Sequence, residues 1–129
     1  MAADLIHPGH IKIIQIGDKL GEVIVGLLTD EAVTTKKKRS TIMSYTNRLI
    51  VVQHIKGVEQ VIPQFSADYR PNLIKLKPAY VVHGDDWSDA ARQQVVDTLA
   101  QWGGQLVELP YMLGISSTML RQKTRSLAD

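Results

Sequence analysis

The sequence predicts an α/β domain whose parallel sheet carries helices on both faces. Two observations support this. Helical stretches alternate with short apolar runs, and the runs 22–29 (EVIVGLLT) and 79–83 (AYVVH) are almost unbroken, as strands covered on both faces are. Such alternation requires right-handed crossovers and gathers ligands at the carboxyl ends of the strands. The chemistry is therefore expected in the loops that follow strands.

Taken in order, residues 8–19 read as a helix. Pro8 suits a first turn, where no backbone N–H is missed, Ile11, Ile13, Ile14 and Ile16 supply apolar positions, and Gly21 is a usual stop. The run 22–29 is the first strand, and the polar stretch 30–43 has too little apolar periodicity to be an element, so it reads as a mobile loop. Ser44 caps a helix over 45–56 that turns Leu49, Val52 and Ile55 inward and ends at Gly57. A short strand over 60–63, a polar loop through Asp68 and a short helix over 71–77 follow. After the strand 79–83 and the turn Gly84-Asp85-Asp86-Trp87, the spacing of Ala91, Val95, Val96, Leu99 and Trp102 predicts a helix over 88–102, stopped by Gly103-Gly104. The last strand is 105–109, and Ser116 or Ser117 caps a terminal helix.

With 129 residues, no internal repeat and no linker, the chain is expected to form one domain, 1–129. No apolar run approaches the ~20 residues that cross a bilayer, and Met1 leads straight into Asp4, His7 and His10 rather than into a basic segment with an apolar core. No membrane association and a cytoplasmic location are expected. The absence of cysteine removes disulfides, thiolate nucleophiles and cysteine-ligated metals. A net charge of +2 is too small to argue for nucleic acid, so the basic residues matter through local clustering.

Four clusters carry candidate chemistry. His7 and His10, three apart across Pro8-Gly9 at a helix start, share a face beside unpaired backbone N–H groups, a place suited to phosphate. A zinc pair lacks companions, and two structural histidines are the plain alternative. Lys36-Lys37-Lys38-Arg39 is either a solvated loop or a cationic flap closing over a polyphosphate. Asp85-Asp86-Trp87 is either a turn that caps the next helix or the wall of a nucleotide pocket. Ser116-Ser117-Thr118 with Arg121 is either an ordinary cap or a second phosphate site.

Together these residues resemble a known family. His7-Pro8-Gly9-His10 is similar to the HxGH signature of nucleotidyltransferases related to class I aminoacyl-tRNA synthetases, and Gly114-Ile115-Ser116-Ser117-Thr118 resembles their second phosphate motif. With Val82-His83-Gly84-Asp85-Asp86-Trp87 between them, the chain most closely resembles phosphonate cytidylyltransferases, including those fused to phosphoenolpyruvate mutase, and more distantly glycerol-3-phosphate cytidylyltransferase. The resemblance implies a Rossmann-like fold, in which CMP passes from CTP to a small phosphonate of the 2-aminoethylphosphonate or 2-hydroxyethylphosphonate type and pyrophosphate leaves. It implies Mg²⁺ held on the substrate phosphates rather than by protein ligands, a homodimer, and a phosphoenolpyruvate mutase as companion in the same pathway.

Carried over by motif, His7 and His10 would stabilise the transferring phosphate, with Lys38 or Lys36 as the catalytic lysine. Ala3, Asp4, Gly9, His83, Asp85, Asp86 and Trp87 would surround the nucleotide, and Ile115, Ser116, Ser117, Thr118 and Arg121 its outer phosphates. Arg48, Asp68, Tyr69 and Tyr111 would meet the acceptor. Tyr111 stands where the glycerol-phosphate enzymes carry arginine, which favours a phosphonate; the neighbouring Met112-Leu113 implies a more apolar acceptor pocket. The alternatives are transfer to glycerol 3-phosphate, adenylyl transfer, or a non-catalytic nucleotide-binding remnant. In the family a first strand lies centrally in the sheet, yet only Met1-Ala2-Ala3 precede Asp4. That strand is expected to be missing, with the true start upstream of Met1.

Overall fold

The computed structural model describes residues 1–110. In chain order these form α1 (Pro8–Leu20), β1 (Val23–Leu28), α2 (Asp30–Lys37), α3 (Tyr45–Gln53), β2 (Val58–Gln64), α4 (Arg70–Leu76), β3 (Tyr80–Gly84), α5 (Asp89–Ala100) and β4 (Gln105–Leu109). The terminal helix and the site residues from Tyr111 onward lie outside the described residues.

The alternation and the parallel pairing follow the expectation, with one division. β1 runs parallel to β2, Val25 opposite Val61, and β3 runs parallel to β4, Val82 opposite Val107. The two pairs are separate two-stranded sheets. They are bridged by α1, whose Gly17 fits between Val23 of β1 and Val82 of β3; a methyl group there would stand 3.2 Å and 3.9 Å from their Cγ2 atoms. Beside β1, among the described residues, Met1 donates its amine to Gly26 O at 2.8 Å and accepts the Leu28 N–H at 2.9 Å.

Each sheet pair is covered by helices, and in β1 the adjacent Leu27 and Leu28 join different clusters. Val25 and Leu27 pack with Val52 and Leu49 of α3 and with Ala3, while Leu28 meets Ala32 and Val33 of α2. In the second half, Val81 and Leu106 lie beneath Leu73 of α4 and Val95 and Leu99 of α5. Leu27, Val52 and Leu99 are fully buried, and each such side chain contributes roughly 1.5–3 kcal/mol. The chain leaves α5 through a close approach at Gly104, where a Cβ would stand 2.9 Å from Pro78 O.

Two elements differ from the sequence reading. Residues 30–37 are helical, although the stretch 30–43 reads as a loop. Only Ala32 and Val33 turn inward, so apolar periodicity is nearly absent; the helix is specified by its ends instead. Thr29 caps it by accepting the Ala32 N–H, Asp30 and Glu31 lie in the first turn, and Lys36 and Lys37 lie in the last, each complementing the helix dipole. α3 stops at Gln53 rather than continuing to 56. The chain there turns sharply, and Gly57 adopts a φ of +97° beside Asp18, a conformation that favours glycine.

Candidate active site

The two histidines cap their own helix. His7, extended at φ −145°, ψ 172°, is the N-cap of α1. Its Nδ1 accepts the Gly9 N–H at 3.1 Å, while the Nδ1 of His10 accepts the His7 N–H at 3.2 Å. This reciprocal arrangement satisfies two donors that a helix start otherwise leaves unmet. A ring nitrogen that accepts a hydrogen bond carries no proton, so both neutral imidazoles hold theirs at Nε2. The rings lie 4.0 Å apart between centroids, tilted by 48°. Burial pushes the His10 pKa down to about 4, assisted by His7, the amino terminus and Lys37 and opposed by Asp86. Burial also lowers that of His7. At neutral pH the pair therefore offers two N–H donors rather than two charges, at a helix end whose first turn contains no acidic residue.

An uncharged amine and two lysines converge on the same place. The Met1 amine, desolvated by burial and repelled by Lys36, Lys37 and Arg48, is pushed down to about 5. The charge of Lys37 is felt at His10, and that of Lys36 at His83. Lys38 instead forms the left-handed C-cap of α2, at φ 55°. The last turn of α2 thus brings the charge of Lys37 to His10 and that of Lys36 to His83 and the amino terminus.

Asp4 and Arg48, expected to contact nucleotide and acceptor, are occupied otherwise. Asp4 is 1% exposed, and its carboxylate accepts the N–H groups of Ile42 (2.8 Å and 3.1 Å) and Met43 (2.9 Å), with Arg39 at 3.6 Å. Arg48 is wholly buried. It donates to Met43 O at 3.1 Å, Ala2 O at 2.8 Å, Leu28 O at 2.7 Å and the Asp30 carboxylate at 2.7 Å. Four of the five guanidinium N–H groups are thus committed to the protein itself. Both residues fasten the histidine loop to the segment between α2 and α3. Ala3, also placed at the nucleotide, packs its methyl group into the core and holds a φ of 54°.

Past β3, the chain builds an aromatic wall. Trp87 lies flat on His83, 3.7 Å between centroids and 7° from parallel, and Tyr69 stands edge-on to both. His83 Nδ1 is 2.7 Å from Gly84 O, a carbonyl that can only accept, so this nitrogen carries the proton; Nε2 then accepts from the Tyr69 hydroxyl at 3.0 Å. Burial lowers the His83 pKa and raises that of Tyr69. Asp86 folds back over the strand end, its Oδ1 only 2.9 Å from where a Cβ on Gly84 would stand, and its charge is felt at both His10 and His83. Asp85 is exposed. Asp68 is engaged by Arg70, whose Nε and terminal nitrogen reach its two oxygens at 2.9 Å and 2.8 Å and hold its carboxyl below the ordinary range.

One contact of this wall escaped the sequence reading. Trp87 Nε1 donates to Glu108 Oε2 at 2.7 Å, and Arg92 Nε reaches Glu108 Oε1 at 3.3 Å. The available signal was position, since Glu108 ends the last strand beside the carboxyl end of β3. A hollow of about 140 Å³ lined by Glu31, Thr35, Lys36 and Phe65 lies against α2 but includes none of the histidines. Among the described residues no three His, Asp or Glu side chains stand together to hold a metal.

A helix start with two Nε2–H donors, neighbouring lysines and an aromatic wall past β3 has the chemistry that suits an anionic ligand with a flat ring. The model of the family described as cytidylyltransferase-like matches residues 2–123. The chain belongs to the cytidylyltransferase-like family. It is a nucleotidyltransferase. Over 126 residues it is 33% identical to a glycerol-3-phosphate cytidylyltransferase of Bacillus spizizenii, covering 96% of this chain and 92% of that protein. A glycerol-3-phosphate cytidylyltransferase of Bacillus subtilis is 27% identical over 128 residues, with the same coverage. The bifunctional protein HldE of Streptomyces coelicolor is 32% identical over 120 residues, which span 91% of this chain but 26% of that protein. A lipopolysaccharide core biosynthesis protein from Thermoplasma volcanium shares the fold, with a TM-score of 0.68 at 23% identity, covering 87% of this chain and 91% of that one. This cytidylyltransferase-like chain also contains no helix, among the described residues, long and apolar enough to cross a membrane.

Proposed function

We propose that the chain transfers CMP from CTP to a small phosphonate. A phosphonate oxygen attacks the α-phosphorus in line, and the bond to the bridging oxygen breaks with its electron pair leaving on pyrophosphate. The observation that carries this reading is the reciprocal histidine cap. By fixing both Nδ1 atoms on backbone N–H groups it aims two Nε2–H donors outward, where charge grows on the transferring phosphate. Lys36 and Lys37 add positive charge beside them. The imidazoles then have no lone pair free for a metal, so a Mg²⁺ would be held by the substrate phosphates and would supply charge neutralisation there. Asp86 and the stacked Trp87 and His83 form the side of the pocket assigned to the cytidine. Phosphonate as acceptor is supported by Tyr111 and by the His83-Gly84-Asp85-Asp86-Trp87 segment.

A second reading, transfer of CMP to glycerol 3-phosphate, is favoured by the two Bacillus relatives that bear that activity in their names. Incubation with Mg-CTP and, separately, 2-aminoethylphosphonate, 2-hydroxyethylphosphonate and glycerol 3-phosphate tests both. Phosphorus NMR of the product and pyrophosphate release are the readouts. Turnover with a phosphonate and not with glycerol 3-phosphate is expected; the reverse selects the second reading, and turnover with ATP in place of CTP overturns both.

A further inference from the structure

We propose that Glu108 is a positioning residue that sets the face Trp87 presents to the nucleotide; the proposal rests on the reading of Trp87 as part of the cytidine side of the pocket. Trp87 sits in the turn after β3, immediately before the N-cap Ser88 of α5. Its ring packs against the cluster of Leu73, Val95 and Leu99, with Tyr69 edge-on at 5.7 Å. Two further contacts bear on the indole plane: the stack on His83, at 3.7 Å and 7°, and the hydrogen bond from Nε1 to Glu108 Oε2, at 2.7 Å.

The stack by itself is insufficient, because one flat ring can slide and turn on another at little cost. The hydrogen bond removes that freedom, and a carboxylate is the strongest acceptor the indole could meet. The carboxylate is itself fixed. Its second oxygen takes the Nε of Arg92 at 3.3 Å, and the Trp87 hydrogen bond, with Arg92, holds its pKa below the ordinary range. His83 and Glu108 are also register partners across β3 and β4. The strand pairing that places the imidazole under the indole therefore also places the carboxylate at its edge. His83 is anchored independently through Gly84 O and Tyr69, so loss of Glu108 frees the indole without displacing the ring beneath it.

The test uses the full chain with Glu108→Ala and Glu108→Gln, read by indole N–H exchange in proton–nitrogen NMR and by CTP kinetics. Trp102 is the internal control, since its indole donates to Pro78 O at 2.8 Å, away from this cluster. In Glu108→Ala the Trp87 indole proton should exchange about tenfold faster while that of Trp102 does not change, and KM for CTP should rise about tenfold with kcat within about twofold, the scale of one hydrogen bond to a charged group. Glu108→Gln keeps an oxygen that accepts from the indole and should restore KM to within about threefold. Unchanged Trp87 exchange in Glu108→Ala overturns the proposal, as does a fall in kcat or in thermal stability with KM unmoved. A wild-type chain that neither binds nor turns over CTP overturns the pocket reading as a whole. Normal wild-type turnover with an indifferent Glu108→Ala overturns this inference alone.

Discussion

His10 is hydrogen-bonded back onto His7: its Nδ1 accepts the His7 N–H at 3.2 Å, and the two rings lie 4.0 Å apart. That contact fixes the donor atoms, and burial keeps the pair neutral and gives their protonation a cost that is measurable. The His10 pKa in the folded chain is about 4, against 6.5 when unperturbed. Between these values the unfolded chain binds a proton that the folded chain refuses. Stability is thus full above pH 6.5 and falls as pH drops towards 4, by about 3 kcal/mol for this group. Urea denaturation at stepped pH, with proton NMR of the His10 ring, reads both. A His10 that titrates near 6.5 in the folded chain would refute it.

The capping and catalytic duties of His7 separate in His7→Asn. Asparagine is among the best N-cap residues, so stability should stay within about 1 kcal/mol of wild type. The outward Nε2–H is lost, and kcat should fall about 10²- to 10³-fold, as for removal of one donor to developing charge. Denaturation together with turnover measurements distinguishes this from a variant that merely unfolds.

Lys37 and Lys38, adjacent in sequence, should behave differently. The charge of Lys37 depresses the His10 pKa, so Lys37→Ala should raise it. Lys38 caps α2 in the left-handed conformation, and Lys38→Ala should leave the His10 titration where it was. NMR titration of the two variants decides, and equal effects would contradict the placement of α2.

Arg48→Leu should be severely destabilising. It leaves the carbonyls of Ala2, Leu28 and Met43 without this donor and Asp30 without its ion pair, a loss of about 3–5 kcal/mol from a domain whose total is about 5–15 kcal/mol. In folded protein kept cold, KM for the acceptor should be unchanged. A selective rise in acceptor KM with normal stability would return Arg48 to the acceptor site.

Hydrogen exchange along β1 should alternate. Because Gly26 O and Leu28 N–H face Met1, the two-residue period of a strand points the N–H groups of Ile24 and Gly26 to the same open edge, and those of Val25 and Leu27 to β2. The first two should exchange at least about tenfold faster than the second two. Uniform protection would show that the edge is covered in solution.

Much of this was legible before any coordinates. Seven elements, α1, β1, β2, α4, β3, α5 and β4, were placed to within a residue or two, because periodicity, glycine stops and apolar runs are local signals. α2 was missed for the converse reason: with Ala32 and Val33 its only inward residues, its evidence lay in charges and a cap rather than a stripe. The histidines, Lys36 and the Asp86-Trp87 turn were marked as candidate site residues from type and spacing. Arg48 and Asp4 were also marked, but their burial and backbone partners depend on what folds around them, and no spacing in the chain states that.

The opening His7-Pro8-Gly9-His10 segment by itself determined that a helix starts there with two imidazoles at its mouth, since Pro8 and the three-residue spacing act within one turn. The hydrogen bonds that fix the two tautomers also lie within that turn. Only the tertiary structure decided how far the His10 pKa falls, which lysines stand near, and that Glu108 holds Trp87. These are set by atoms from distant parts of the chain, and those atoms meet only when α1, α2 and the ends of β3 and β4 are assembled.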